Sequence, residues 1–237
     1  STPLYSSAAS DVYKRQMRDN TGKYTSLLWE PNEYINIMVY PFTDSQILGI
    51  STFPYSLKDF FLEGTQQVSA SWITLENLSF PYCISINSSY IYEQSTDERI
   101  NQNDAAITLA HELGHYLGLR HVFSEGGTTS MCTDTDYCKD TPSYNRSEYE
   151  QWLNNLDKQN KYQLKDLAKR YSCEKGEYEA HNIMDYAYCF YNEITLEQRK
   201  RIRHILNYSP LIPGPKESRI DTRGVQGRLN LPICIMK

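Results

Sequence analysis

The run His111-Glu112-Leu113-Gly114-His115-Tyr116-Leu117-Gly118-Leu119-Arg120-His121 constrains this chain more than any other stretch. His111 and His115 are four apart, so on a helix they stand one turn apart on one face. His121 lies six residues further on. On a continuing helix it would sit about 240° round and about 9 Å along, out of reach of the first two. It joins them only if the helix stops and the chain doubles back. Gly118 stands between, and glycine tolerates the left-handed conformation that such a stop requires. The pattern predicts a helix over Asp104 to Gly118, with Asp104 as its cap and Ala105, Ile107, Leu109, Leu113 and Leu117 supplying apolar content. A reversal follows it.

Three imidazoles brought together with a fourth position left open describe a catalytic zinc rather than a closed structural one. Glu112, next to the first ligand, can lean over the same face. There it can take a proton from a water on the metal and pass it to a leaving amine. Three of the five histidines lie in this motif. Of the others, His181 reads as a packed neighbour of the site and His204 as a surface residue.

A net charge of −5 disfavours a general electrostatic grip on nucleic acid or an anionic membrane, and no apolar run approaches a membrane span. Tyr34 to Tyr40, bounded by Pro31 and Pro41, reads as a buried strand; Ile47 to Phe53, closed by Pro54, as a second. Tyr82 to Asn87 alternates apolar and polar residues, which suits a strand with one exposed face. The shape of Tyr55 to Pro81 is left undecided. Asn145 to Tyr171 reads as a polar helical pair laid on the surface. Thr195-Leu196-Glu197-Gln198 is a capping box opening a last helix to about Asn207. The apolar end, Leu229 to Ile235, is either a terminal strand or a ragged tail. Asp11 to Gln16 matches the translation of a DNA-library adapter, so residues 1–16 are expected to be a non-native leader, excluded from fold reasoning.

The extended three-histidine motif resembles that of the metzincin metallopeptidases. They carry a methionine-containing turn under the metal, and sixty-three residues past His121 stands Met184, within His181-Asn182-Ile183-Met184-Asp185-Tyr186. Its wording is most similar to the pappalysin family, as are Leu48 to Pro54 ahead of the helix and Asp140-Thr141-Pro142 after it. The resemblance covers about Tyr34 to Tyr208. It implies an α+β catalytic domain with a twisted, mostly parallel sheet. An upper subdomain over 17–122 would carry the zinc-binding helix. An irregular, helical lower subdomain over 123–216 and a tail over 217–237 would follow. Too few residues precede Tyr34 for the strand and backing helix that relatives carry, so the domain is expected to be N-terminally truncated, with room for a signal region or lipid anchor upstream.

The resemblance also implies roles. Met184 would lie beneath the imidazoles without ligating. Tyr186 would hydrogen-bond the tetrahedral oxyanion. A peptide or protein substrate would pair antiparallel along an edge strand ahead of the helix, for which Ile84, Ser85, Ile86 and Asn87 are the candidates. Ala187-Tyr188-Cys189-Phe190 lacks the acid that relatives preferring a basic residue after the cleaved bond carry there, so no basic preference is expected. The implied activity is that of a zinc endopeptidase, secreted or at the cell surface or periplasm. Hydrolysis of another amide or ester, or a peptide-binding protein without turnover, are the rivals; the intact Glu112 argues against the latter.

Six cysteines remain. Cys132, Cys138, Cys173 and Cys189 bracket the loop between the third histidine and the methionine, and four cysteines allow three pairings. The resemblance favours Cys132 with Cys173 and Cys138 with Cys189, which belongs to an oxidising compartment; the alternative is four reduced, packed thiols. Cys83 and Cys234 either pair or stay free. Asp134, Asp136, Asp140 and Thr141 are the candidates for a calcium site, hard oxygen ligands that suit this ion, or form a solvated acidic loop.

Overall fold

The computed structural model describes residues 23–69, 78, 80–96, 100–124, 136–157, 160–172, 174–214, 216 and 233–236. The elements in chain order are β1 (Ile37–Tyr40), β2 (Gly49–Thr52), β3 (Tyr55–Leu57), β4 (Gln66–Val68), β5 (Ile84–Asn87) and helix α1 (Ala105–Tyr116). Then come β6 (Phe123–Ser124), β7 (Tyr144–Asn145), α2 (Arg146–Asn154), the single turn α3 (Leu164–Leu167), β8 (Lys169–Ser172), β9 (Gly176–Glu179), α4 (Leu196–Tyr208) and β10 (Ile233–Met236). Among the described residues no helix is long and apolar enough to cross a membrane.

The α+β class holds, but the main sheet is mixed rather than mostly parallel. Its order is β1-β5-β2-β10. β1 runs parallel to β5, with Ile37 opposite Ile84. β2 pairs antiparallel with β5, and β10 antiparallel with β2. β5 slots between two strands that precede it, and only β1 shares its direction. This placement corrects two expectations. Ile84, Ser85, Ile86 and Asn87 form an interior strand with both edges hydrogen-bonded, so they offer no edge to a peptide. Nor do they have an exposed face, for all four are buried. α1 packs on one side, where Ile84 and Ile86 meet Tyr116, Ile205 and the inner leucines Leu109, Leu113 and Leu117. Ile47, Ile50 and Phe80, with Met38 and Phe42 against them, form a further apolar cluster.

β3 and β4 pair in parallel within the stretch left undecided from sequence. β6-β7-β8-β9 make a second four-stranded sheet. Here the expected helical pair is half right. Asn145 caps α2, its side chain accepting from the Glu148 amide. The second member gives only one turn before the chain extends into β8. β8 alternates exposed and buried residues, with Arg170 and Ser172 inward. A period of two whose inward residues are an arginine and a serine carries no apolar signal. The last helix follows its capping box: Thr195 accepts from the Gln198 amide while Gln198 reaches back to Thr195. His204 is half-buried rather than on the surface, its Nε2 2.9 Å from the Phe60 carbonyl.

Candidate metal centre

α1 begins where Asp104 Oδ1 accepts from the amides of Ala106 and Ile107, at 2.7 and 3.2 Å. Burial works against the charged carboxyl, yet these amides and that of Ser95 hold it below the usual carboxylate range. The helix ends as the histidine spacing requires. Gly118 has φ +87°, and the amides of Gly118 and Leu119 fold back onto the carbonyls of His115 and Gly114. A side chain would not fit there, since a Cβ on Gly118 would stand 2.7 Å from Ile205 Cγ1. Buried Arg201 on α4 closes the reversal, its Nε and Nη2 donating to the Gly118 carbonyl at 3.3 and 3.2 Å.

The reversal brings His121 back to the other two rings. Among the described residues one group of three metal-capable side chains comes together, His111, His115 and His121, all buried. Nε2 of His121 lies 3.0 Å from that of His115 and 3.2 Å from that of His111. The other nitrogens are committed elsewhere: His111 Nδ1 lies 2.7 Å from the Ile183 carbonyl and His115 Nδ1 2.8 Å from the Leu119 carbonyl. A carbonyl can only accept, so both rings carry their proton on Nδ1 and turn an Nε2 lone pair inward. Lone pairs at this separation repel unless a cation lies among them. A tetrahedral zinc with bonds of about 2.0–2.1 Å spaces its nitrogens by about 3.3 Å, so the cluster fits that ion. Burial, helped by His121 and His111, holds His115 well below the ordinary imidazole value, which keeps it neutral as a ligand must be.

Glu112 is fully buried on α1. β2 crosses close above it: a Cβ on Gly49 would lie 2.7 Å from Glu112 Cγ. Met184 is also fully buried and packs so tightly on α1 that a Cβ at Gly114 would overlap its sulfur. The segment around it holds both arms of the histidine motif, Ile183 through the His111 ring and the Met184 carbonyl through the Val122 amide at 3.3 Å. Gln198 and Asn182 exchange paired amide hydrogen bonds at 2.8 and 3.1 Å, tying this segment to α4. The Tyr186 ring lies 4.4 Å from the His121 ring and 5.4 Å from that of His111. Phe123 stacks on His121 at 4.7 Å, and the Arg146 guanidinium covers the Tyr186 ring at 4.4 Å. His181 stands apart, its Nδ1 3.0 Å from Asn192 Oδ1 and its ring stacked on Phe190.

Two groups of expected site residues are put to other uses. Asp136 accepts from the Cys138 amide at 2.9 Å and from the Thr141 hydroxyl, and Asp140 accepts from the Glu197 amide at 2.9 Å. These oxygens cap a turn and the start of α4, which does not support a calcium site; Asp134 lies outside the described residues. Cys138 and Cys189 are separate buried thiols, not a disulfide. The Cys138 sulfur packs on the Asp136 carbonyl and the Cys189 sulfur on that of Asn182. Cys83 is a third buried thiol. Cys132 and Cys173 lie outside the described residues. Sequence reasoning missed Gly49, Phe123, Arg146, Arg170, Gln198 and Arg201. The buried face of α4 is Gln198, Arg201 and Ile205, so no apolar stripe marked Arg201 in the sequence.

The peptidase family model described as pregnancy-associated plasma protein-A matches residues 64–207. An extracellular metalloprotease of Arthroderma otae is 31% identical over 188 residues, covering 78% of this chain and 55% of that protein. A protein of the same description from Arthroderma benhamiae is 30% identical over the same length, with the same coverage. The chain thus spans about half the length of the curated relatives it matches. Mature mirolysin of Tannerella forsythia, solved with a cleaved peptide, aligns at a TM-score of 0.41 and 21% identity over 76% of this chain and 56% of that one.

Proposed function

The chain belongs to the pregnancy-associated plasma protein-A (pappalysin) peptidase family, and from that premise we propose that it is a zinc-dependent endopeptidase acting outside the cell. One observation carries the reading. Three Nε2 atoms, two of them on rings whose Nδ1 faces a carbonyl, converge at zinc-ligand spacing beside a buried glutamate. His111, His115 and His121 would hold the ion. When bound, zinc supplies Lewis acidity, acidifying water and polarising the scissile carbonyl.

The chain's own residues divide the rest. Glu112 takes a proton from the attacking water and returns it to the amide nitrogen as the C–N bond breaks. The Tyr186 hydroxyl donates to the oxygen that gains charge, a contact worth most in the transition state. Phe123, stacked on His121, keeps water from one side of that ligand. A peptide would lie beside Glu112 by taking the edge of β2 that β10 pairs with, where Gly49 brings backbone next to the carboxylate. The extracellular setting follows from the relatives' description.

The test measures zinc content and then cleavage of a mixed peptide library, with and without chelator, for wild type and Glu112→Ala. We expect about one zinc per chain in both proteins and cleavage abolished by chelator. Glu112→Ala should slow cleavage by about 10²–10⁴. Zinc without cleavage in wild type supports a binding protein instead, and cleavage surviving Glu112→Ala refutes the mechanism.

A further inference from the structure

We propose that Arg170 is a positioning residue for Tyr186, fixing the backbone that aims the phenol at the metal centre. The inference rests on the peptidase reading and adds a residue to it.

Arg170 lies on β8, far in sequence from the histidine motif, and its side chain is fully buried. Its Nη2 donates to the carbonyls of Tyr186 and Ala187 at 3.1 and 2.8 Å. Its Nη1 donates to those of Leu167 and Lys169 at 3.0 and 3.2 Å, anchoring the cation to the end of α3 and the start of its own strand. Its Nε faces Asp185 Oδ2 at 3.4 Å. The other carboxylate oxygen accepts from the Tyr144 hydroxyl at 2.5 Å and the Tyr186 amide at 2.7 Å. Two aromatic rings border the guanidinium, Tyr149 at 3.7 Å and Tyr144 at 5.1 Å, their planes at 84° to one another. Thus one cation and its counter-ion hold the amide and the carbonyl of Tyr186 at once.

Two costs point to position rather than stability. Burying a charge pair is weak evidence for stability, because desolvation offsets much of its attraction. Burial indeed opposes the charge on Arg170, but Asp185 and the two tyrosines raise its pKa further still, so it stays a cation. The backbone just past Tyr186 is itself strained, with Ala187 at φ 44° and Tyr188 at φ 42°, both left-handed without being glycine. Such conformations persist where surroundings over-determine them, and they cluster at functional sites. Here the guanidinium grips the carbonyls on either side of the Ala187 Cα, and Gln102 Oε1 accepts from the Tyr188 amide at 2.6 Å. A strained turn held by a buried cation leaves the Tyr186 ring one position beside His121 and His111.

The test is a double-mutant cycle on the zinc-loaded full chain, using Arg170→Lys, Tyr186→Phe and the pair. Lysine keeps the charge but loses the fork that reaches both carbonyls. Arg170→Lys should lower kcat about 10- to 100-fold with KM within about twofold, and have no further effect in the Tyr186→Phe background. Equal losses in both backgrounds, or a rise in KM of the same size, overturn the proposal. Tyr144→Phe keeps both charges and serves where Arg170→Lys does not fold; it should show a smaller kcat loss, again absent in the Tyr186→Phe background. Amide exchange gives a readout independent of turnover. The Tyr186 amide should exchange at least about tenfold faster in the variant than in wild type, and unchanged exchange overturns the clamp even if wild type cleaves no peptide. Wild type without cleavage sinks the peptidase reading separately.

Discussion

Gly118→Ala tests the geometry on which the metal centre depends. Two separate terms oppose the new methyl. At φ +87° an L-residue is left-handed, which costs about 1–2 kcal/mol. Its Cβ would also stand 2.7 Å from Ile205 Cγ1 and 3.2 Å from Ile205 Cδ1. Ile205 is wholly buried, so it cannot swing away, and overpacking of this kind costs about 1–3 kcal/mol. The sum is about 2–5 kcal/mol, or about 4–20 °C of melting temperature for a domain of this size. Gly176 provides the control, because its φ is +76° but a Cβ there meets nothing within 4 Å. Gly176→Ala therefore carries the strain alone, about 1–2 kcal/mol. Melting both variants without metal isolates the Ile205 term as their difference. A zinc titration then reads the site, since relieving the clash moves the reversal and draws His121 away from His111 and His115. A Gly118→Ala chain that melts with Gly176→Ala, or that binds zinc with wild-type affinity, refutes the reasoning.

Two further outcomes follow from the corrected features. Burial pushes the Cys83 and Cys138 thiols up to about 12, so at pH 8 only about one in 10⁴ is thiolate, against about a quarter for an ordinary cysteine. Peptide mapping after alkylation should show both labelled at least about 10³-fold more slowly in the folded chain than in denaturant, the rate rising about tenfold per pH unit; a Cys138–Cys189 bridge in air-oxidised protein would contradict the packing described. β10 occupies the edge of β2 that a peptide beside Glu112 would need, with Met236 opposite Gly49 and Ile235 opposite Ile50. Ile235→Pro should weaken that pairing by about 1 kcal/mol per lost ladder bond and lower KM about fivefold for each, with kcat unchanged; an unchanged or higher KM shows that substrate and β10 do not compete.

The parts of the centre legible in the sequence are those whose geometry is local. Helix pitch ties His111 to His115, a six-residue gap demands a reversal before His121, and a glycine stands where that reversal must go. Asp104 and Thr195 announced two helices because a cap acts within three residues. The strand at Ile84 to Asn87 was legible as a strand but not as an interior one. Edge or interior is decided by what lies beside it, and its neighbour β2 takes its own partner from near residue 235. The amides that Asp136 and Asp140 meet were not legible either, because composition records oxygen atoms and not their partners. Cys138 and Cys189 looked paired by analogy with relatives, yet each sulfur here packs on a nearby carbonyl.

Two of the residues that stayed illegible are of one kind: basic side chains turned inward to hold backbone carbonyls. Arg170 grips the carbonyls of Tyr186 and Ala187, and Arg201 grips that of Gly118. A carbonyl has no sequence signature, since every residue carries one. An arginine that meets a carbonyl therefore reads like a solvated one. The same arginines join the two halves of the site. Arg201 ties the reversal after α1 to α4, and Arg170 ties the segment after Met184 to β8. On the reading proposed above, the histidines would hold the ion, and the arginines would fix the backbone that carries His121 and the phenol. Substitutions at Arg170 or Arg201 should accordingly disturb the centre from positions that no metal-binding motif would flag.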